Sequence, residues 1–354
     1  MIYISNNQEY ISLLAENWFS KLHKYLTEKE CYDYLKDHKT KKQTKITYVN
    51  YKEKIDYKIN NSTLSEVEKS KCRDYVDKFF SKMEYYVLAD ENGLYEIFTD
   101  YEKEMIKDIT SIEEHAHSFL SQLFTSMYKS FTDSKPIFEE DDPEMDIYKD
   151  ISIAYYFFHK LHIQTCPYCN REYTFTVYKK KCKTRPEYDH FYDKANNPLL
   201  AVSFYNLVPS CHTCNHQKST KQIGVNPYFK GFKSSFKITI PGRHLPLLAE
   251  QQLTPEQIHI GFDRPTAEEQ LNIENLGLGD LYKMHADYAM ELIEKARIYR
   301  GPMMEDLAST FQTAEYTPQQ VYEFVWGKNL EDANHINRPL SKLTKDILDQ
   351  LDIH

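Results

Sequence analysis

The sequence has little glycine and no long apolar run. Glycine accounts for 9 of 354 residues, which favours helices with short connections over a protein with many tight β-turns. No stretch approaches the ~20 consecutive apolar residues that a membrane-spanning helix needs. The first residues, Met1 to Asn6, have neither the basic start nor the apolar segment of a signal peptide. We therefore expect a mainly helical protein in the cytoplasm.

Positively charged residues are outnumbered by acidic ones in the chain as a whole. Lysine and arginine total 44 against 53 acidic residues, which gives a net charge of −9 and argues against a protein that coats nucleic acid over its whole surface. The distribution is uneven, because residues 160–240 contain 13 basic and 4 acidic residues, a net of 13 − 4 = +9. The rest of the chain then carries −9 − 9 = −18. A basic segment between acidic ones predicts one localised site for a polyanion.

Four of the seven cysteines fall into two CxxC pairs, Cys166 with Cys169 and Cys211 with Cys214. A CxxC pair places two sulfurs on one tight turn, and in a reducing compartment such pairs indicate metal ligands rather than disulfides. Zinc prefers four tetrahedral ligands, and four thiolates leave no position for water. The sequence therefore predicts one structural zinc ion held by all four cysteines.

The chain divides at a polar, acidic stretch with a proline, residues 139–144, which is typical of a boundary. We predict a helical N-terminal region over residues 1–145, a central unit over 146–245 and a helical C-terminal region over 246–354. Capping pairs and side-chain periodicity predict elements within these regions. The predicted elements are a helix after the capping box of Thr63 and Glu66, strands at 171–178, 188–192 and 235–240, a helix at 280–299, and a helix that starts at Thr317-Pro318.

The polar residues between the two CxxC pairs are the candidate catalytic groups. Asp189 and His190 are adjacent on the predicted strand, Asn206 follows in Phe-Tyr-Asn-Leu-Val-Pro, and Asn215 comes directly after Cys214. Neighbouring side chains of a strand point to opposite faces, so Asp189 and His190 would normally diverge. A twisted strand end can still bring both to one site.

The order Asp189-His190, Asn206-Leu207 and Cys211-x-x-Cys214-Asn215-x-x-Lys218 resembles the HNH endonucleases over about 60 residues. The resemblance implies a ββα-metal core, made of two short antiparallel strands and a helix that begins near Thr213. It implies that His190 is the general base and Asp189 a metal ligand, and that Asn206 braces the loop that orients the histidine. Asn215 matches the last metal-binding position, with His216, one residue later, as the second choice. The fold class expected is mainly α with this small α+β core clamped by zinc.

These roles also agree with the chemistry of phosphodiester hydrolysis. An imidazole titrates near neutral pH and can accept the proton of an attacking water. A hard divalent ion such as Mg²⁺, held by Asp189 and an amide oxygen, keeps positions open for phosphate and water. Lys218 and Lys221 are candidate contacts to flanking phosphates, or else ordinary surface lysines. The run Lys179, Lys180 and Lys181 is either a phosphate contact or a solvated turn.

An HNH core with four cysteines in a mostly helical chain is similar to the nuclease subunit of Septu-type and retron-associated anti-phage systems. This resemblance implies a companion ATPase, and the chain itself has no GxxxxGK[ST] phosphate loop. The leading hypothesis is a metal-dependent endonuclease that cuts DNA. Three alternatives remain: an RNA nuclease, for example one that cuts tRNA, a zinc-stabilised nucleic-acid-binding module without catalysis, and an interaction protein in which the zinc unit only stabilises the fold.

Overall fold

The architecture comes from a computed structural model that describes residues 1–4, 7–36, 43–105, 111–138, 142–299, 302–312 and 315–353. Helices dominate these residues, which confirms the mainly α prediction. The helices are α1 (Gln8–Thr27), α2 (Tyr51–Asn60), α3 (Glu66–Ser81), α4 (Met83–Leu88), α5 (Glu91–Met105), α6 (Ser111–Asp133), α7 (Met145–Tyr148), α8 (Ile153–Leu161), α9 (His212–Lys218), α10 (Leu245–Ala249), α11 (Ala267–Asn275), α12 (Leu278–Lys283), α13 (Ala286–Ile298), α14 (Pro302–Gln312), α15 (Pro318–Trp326) and α16 (Ser341–Gln350).

The strands of the described residues form small antiparallel pairs. These pairs are β1 (Cys31–Lys36) with β2 (Gln43–Tyr48), β3 (Val177–Lys179) with β4 (Cys182–Thr184), β5 (Glu187–His190) with β6 (Leu207–Ser210), and β7 (Phe236–Thr239) with β8 (His259–Phe262). The β1–β2 hairpin interrupts the N-terminal region that the sequence predicts as helical. Short hairpins of this kind are only marginally stable alone and depend on packing against helices.

Helix starts follow the capping chemistry, with one shift. Thr317 caps α15 as predicted, because its side chain accepts from Gln320 N–H and Pro318 occupies the first turn. The other predicted capping box is wrong by two residues: Ser65 and Glu68 form it at the start of α3, and not Thr63 and Glu66. Both pairs have the required hydroxyl and carboxylate at a spacing of three, so the local pattern alone does not choose between them.

Two other predicted elements are shorter than expected. The helix at 280–299 is divided into α12 and α13, with a break around Met284 and His285. The strand at 171–178 is reduced to β3, although its first part runs beside residues 164–166 and forms one bridge between Thr165 and Tyr173. The remaining predicted strands, at 188–192 and 235–240, correspond to β5 and β7 with ends that differ by one or two residues.

The core is centred on an aromatic cluster that joins the N-terminal helices to the central unit. Trp18 of α1 is buried, and its ring meets Phe131, Phe157, Tyr188 and Phe204 at centroid distances of 4.9–6.2 Å. These partners come from α6, α8, β5 and the loop that precedes β6. The loop thus fixes β5 and β6 against the helices.

The apolar core crosses both predicted region boundaries. The Trp18 indole Nε1 donates to the Val202 carbonyl at 2.9 Å, and Phe236 N–H donates to an Asp346 carboxylate oxygen at 2.7 Å. Residues 139–141, half of the acidic stretch that suggested the first boundary, lie outside the described residues. The division at 145 and 245 therefore stays a prediction. Among the described helices, none combines the length and the apolar character needed to cross a membrane.

Candidate functional site

The four predicted zinc ligands form one buried cluster. The sulfurs of Cys166, Cys169, Cys211 and Cys214 all lie within 4.8 Å of one another, and those of Cys169 and Cys211 are 3.9 Å apart. Four sulfurs around zinc, each at ~2.3 Å from the ion, would be separated by roughly 3.8 Å, whereas a disulfide requires about 2.05 Å. The cluster therefore fits a tetrahedral metal ion such as zinc, and the clustering predicted from the two CxxC pairs is confirmed.

Backbone groups support the sulfurs from both pairs. Arg171 N–H donates to Cys169 Sγ and Cys214 N–H donates to Cys211 Sγ, each at 3.4 Å. Hydrogen bonds from the thiols of Cys166, Cys211 and Cys214 hold the pKa of Cys169 well below its usual range. Such donors favour the thiolate form, which is the form that binds metal.

The cluster is also tied to distant parts of the chain. Ile2 N–H donates to the Pro167 carbonyl at 2.9 Å. The Tyr282 hydroxyl of α12 donates to the Cys169 carbonyl. The first CxxC turn is thus held from the N-terminal segment and from the C-terminal helices at once.

The second CxxC pair lies within a strand–strand–helix unit, where it follows β6 and starts α9. In the antiparallel ladder Asp189 lies opposite Val208 and His190 opposite Leu207. Helix α9 begins at His212, one residue before the expected start at Thr213, and Cys211 is its N-cap. On β5, Glu187 and Asp189 share a face because strand side chains alternate, and both contact side chains of α9.

Asp189 and Lys218 form a buried ion pair. The Asp189 carboxylate is 2% exposed and accepts from the Tyr168 hydroxyl at 2.7 Å. The Lys218 ammonium is 3.3 Å away from the same carboxylate oxygen and donates to the His190 carbonyl at 2.6 Å. Burial raises the pKa of Asp189, and the charge of Lys218 offsets only part of that effect.

The position of Lys218 corrects one expectation. The sequence suggested a surface lysine that contacts a flanking phosphate, but the Lys218 side chain is completely buried. The reason is its place on α9, one turn after Asn215, on the side of the helix that faces Asp189. Lys221, Lys179, Lys180 and Lys181 are exposed, as phosphate contacts must be.

His190 points away from Asp189 into a separate set of contacts. Its Nε2 lies 3.0 Å from the Ala201 carbonyl oxygen, and its ring meets the Tyr128 ring of α6 at 4.7 Å, edge to face. A carbonyl can only accept, so Nε2 carries the proton and Nδ1 keeps its lone pair. Burial lowers the pKa of His190 well below its usual range, and Lys194 acts in the same direction. The imidazole is therefore neutral at physiological pH.

Asn206 braces the loop between β5 and β6. Its amide oxygen accepts from Tyr192 N–H at 2.8 Å. Its amide nitrogen donates to the carbonyls of Tyr192 and Leu200, both at 3.0 Å. These bonds connect the residues just after His190 to the segment that provides the Ala201 carbonyl, so they fix the histidine indirectly.

Asn215 contacts a carboxylate that the sequence analysis did not single out. Its amide nitrogen donates to Glu187 at 2.6 Å, and the other Glu187 oxygen lies 3.0 Å from His212 Nδ1. Burial alone would raise the pKa of Glu187, but the bonds from Asn215 and His212 outweigh it and lower this pKa. Asn215 lies one helical turn before Lys218, the α9 residue that contacts Asp189. The two-residue spacing of Glu187 and Asp189 on one strand was the signal that could have identified Glu187.

No family model, curated protein or solved structure matches this chain.

Proposed function

We propose that the unit of β5, β6 and α9 is the catalytic centre of a metal-dependent endonuclease that hydrolyses phosphodiester bonds in DNA. The observation that carries this proposal is the arrangement of the polar side chains in this unit. A neutral imidazole, two carboxylates on one strand face and an amide on the facing helix lie within a single strand–strand–helix unit, and the start of its helix belongs to a cysteine cluster that could hold a metal ion.

His190 is the proposed general base. Its neutral state leaves the Nδ1 lone pair free to take a proton from water, while the bond from Nε2 to the Ala201 carbonyl fixes the orientation of the ring. Asn206 holds that orientation through the loop. The ring is 4% exposed and lies against Tyr128, so an attacking water and its phosphate must enter beside this tyrosine.

Glu187, Asp189 and Asn215 are the proposed ligands of a divalent ion such as Mg²⁺. Carboxylate and amide oxygens are the ligand types that a hard cation prefers, and Glu187 with Asn215 offers both at a partly open position. A bound divalent ion supplies positive charge that stabilises the pentacoordinate phosphate and the leaving oxygen. Lys218 lies 3.3 Å from Asp189 and favours its ionised form against the effect of burial.

Zinc in the cysteine cluster is proposed to be structural. All four sulfurs are buried and together complete a tetrahedral shell, so no position remains for a substrate or water. Its proposed contribution is to join the segment before β3 to the start of α9. The catalytic helix is then anchored at its start.

Nicking of supercoiled plasmid tests the proposal. The zinc-loaded protein should nick DNA when Mg²⁺ or Mn²⁺ is added and not without it. His190→Ala should lower the rate by roughly 10² to 10⁴-fold, the range for loss of a general base. Asp189→Asn and Glu187→Gln should shift the divalent-ion concentration that gives half-maximal cleavage. His216→Ala, on the same helix, is the matched control and should have a mild effect.

Two results would contradict the proposal. Cleavage by His190→Ala at the parent rate would show that His190 is not the general base. Loss of cleavage in His216→Ala but not in Asn215→Ala would show that His216, and not Asn215, is the metal ligand on α9. A substrate panel of DNA and tRNA distinguishes the DNA nuclease from the RNA nuclease with the same centre.

A second candidate is a zinc-stabilised nucleic-acid-binding module without catalysis. The buried ion pair of Asp189 and Lys218 favours it, because an ammonium 3.3 Å from a carboxylate competes with a divalent cation for the same oxygen. In that case the parent protein would bind DNA but would not nick it under any divalent-ion condition.

A role in anti-phage defence with a companion ATPase is proposed from the motif resemblance. It is supported by the acidic regions that flank the basic segment, which can serve contacts other than nucleic acid, and by the lack of a phosphate-loop motif in this chain. Cleavage that becomes ATP-dependent when the companion ATPase is added would support the partnership. Cleavage that is indifferent to the ATPase would count against it.

A further inference from the structure

Two aromatic rings lie exposed on the segment that follows the first CxxC pair. Tyr173 is 52% exposed and Phe175 is 47% exposed. Their rings are nearly parallel, with centroids 4.5 Å apart and planes at 19°. Thr174 between them is buried, so the two rings project from the same side of an extended backbone. We call this pair the aromatic platform. Neighbouring exposed rings of this kind are more informative than a single one, because contiguous apolar surface often marks an interaction site.

The backbone under the platform is held in place by the cysteine segment. Cys166 N–H donates to the Glu172 carbonyl at 3.0 Å, and Thr174 N–H donates to the Gln164 carbonyl at 2.8 Å. These two bonds lie on either side of Tyr173, which is itself bridged to Thr165. The platform is therefore preorganised, and a ligand that stacks on it would not have to order a loose loop.

A strongly basic hairpin continues from the platform. Residues 173–186 contain four lysines and one arginine and no acidic residue. The lysines of the β3–β4 hairpin, Lys179, Lys180, Lys181 and Lys183, are all exposed. Lys183 also lies over the Tyr178 ring, 4.6 Å from its centroid. Flat rings and exposed cations thus occur on one short stretch of the chain.

We propose that the aromatic platform and the lysines of the β3–β4 hairpin bind a single-stranded segment of nucleic acid. Unpaired bases would stack on Tyr173 and Phe175, and the lysines would contact the adjoining phosphates. Every base has a flat face, so this contact tolerates any sequence. In a duplex the faces of the bases are already stacked inside the helix and cannot reach the platform. The inference rests on the proposed function for nucleic acid as the substrate and deepens it by specifying unpaired nucleotides.

The test compares single-stranded and double-stranded probes. The variant Tyr173→Ala/Phe175→Ala and the parent are titrated against a labelled 20-nucleotide oligo(dT) and a blunt 20-base-pair duplex, by fluorescence anisotropy. Loss of base stacking costs about 1–3 kcal/mol per base, so the variant should bind oligo(dT) roughly tenfold more weakly or worse. Its affinity for the duplex should stay within about twofold of the parent, since only phosphates are contacted there.

Two control variants separate stacking from charge and from general stickiness. Lys179→Ser/Lys181→Ser should weaken binding of both probes and should lower the slope of the salt dependence by about 1.4 for oligo(dT) and about 1.8 for the duplex, since two phosphate contacts are removed. Phe324→Ala removes a ring that is 71% exposed on α15 and should leave both affinities unchanged. Circular dichroism and zinc content confirm that each variant is folded.

Three outcomes overturn the inference. These are unchanged affinity of the platform variant for oligo(dT), an equal loss for both probes, and a parent protein that binds neither probe. The last two would point to a general structural role or to a protein segment as the occupant. No divalent ion is added, so binding is measured apart from cleavage. A parent protein that binds oligo(dT) through the platform but never cleaves DNA would refute the nuclease and leave this inference standing.

Discussion

Replacing Lys218 by methionine tests whether a buried ion pair holds the centre of the protein together. Methionine keeps the length of the aliphatic chain but removes the ammonium. That ammonium is completely buried, lies 3.3 Å from the Asp189 carboxylate and donates to the His190 carbonyl at 2.6 Å. The change therefore leaves Asp189 as a buried charge whose remaining named partner is the Tyr168 hydroxyl.

Breaking a buried pair by removing one partner costs about 3–5 kcal/mol of unfolding free energy. In urea the free energy of unfolding falls by about 1–3 kcal/mol per molar for small proteins and more steeply for larger ones. The midpoint of urea unfolding should therefore fall by roughly 1 M. The double variant Lys218→Met/Asp189→Asn should recover part of this loss because no unpaired charge remains.

The pH dependence of Lys218→Met has a definite sign. Burial already raises the pKa of Asp189, and loss of the lysine raises it further. A carboxyl with a raised pKa in the folded state binds its proton more tightly there than in the unfolded chain. Stability is then lost as pH rises through the folded pKa and regained as pH falls. The difference between Lys218→Met and the parent should therefore shrink as pH falls from 7.5 toward the pKa of an unfolded aspartate, about 4.

The assay is urea unfolding followed by circular dichroism, with zinc content as a check on the starting state. Lys221→Met, an exposed lysine three residues later, is the matched control and should stay within about 0.5 kcal/mol of the parent. If Lys218→Met unfolds together with this control, the ammonium is not paired with Asp189. Lys218 would then be available to a phosphate, as the sequence suggested.

Three further predictions concern the cluster, the core and pH. Cys169→Ser should lower the zinc content and destabilise the central unit, because structural zinc contributes directly to folding; full zinc occupancy with an unchanged melting temperature would contradict this. Trp18→Ala should lower the free energy of unfolding by about 3–5 kcal/mol because a buried aromatic ring is lost, and Trp18→Phe should lower it clearly less. Urea unfolding measures both. Burial lowers the pKa of His335 to about 4, whereas the unfolded histidine takes up a proton below about pH 6.5. The free energy of unfolding of the parent should therefore be roughly 2 kcal/mol lower at pH 5 than at neutral pH. His335→Gln should make the free energy of unfolding less sensitive to acid between about pH 6.5 and pH 5. An unchanged pH profile would show that His335 is not the source of this sensitivity.

The sequence pattern was most informative where chemistry is local. Two CxxC spacings were enough to predict that four cysteines meet, because each pair fixes two sulfurs on one turn. Helix starts with a hydroxyl and a proline, as at Thr317-Pro318, were likewise readable. Where two capping pairs overlap, as at Thr63 and Ser65, the same rule gave the wrong residue, since both satisfy it locally.

The arrangement of the candidate site depended on contacts that the sequence does not encode locally. Strand alternation predicts that Asp189 and His190 diverge, and the structure separates their partners in this way. No local rule predicts that Tyr128, about 60 residues earlier, covers the His190 ring, or that Tyr168 donates to Asp189. These contacts arise from the packing of α6 and of the first CxxC segment against β5.

The sequence by itself determined the mainly helical character and the cysteine cluster, because these follow from composition and short spacings, while the order of the strand–strand–helix unit was an expectation from the motif resemblance. The tertiary structure decided which side chains of that unit meet. It buried Lys218 against Asp189, directed Asn215 to Glu187 and left Tyr173 and Phe175 exposed as a platform. Each of these outcomes depends on the angle at which α9 or the cysteine segment packs on its neighbours, and that angle is set by the whole core.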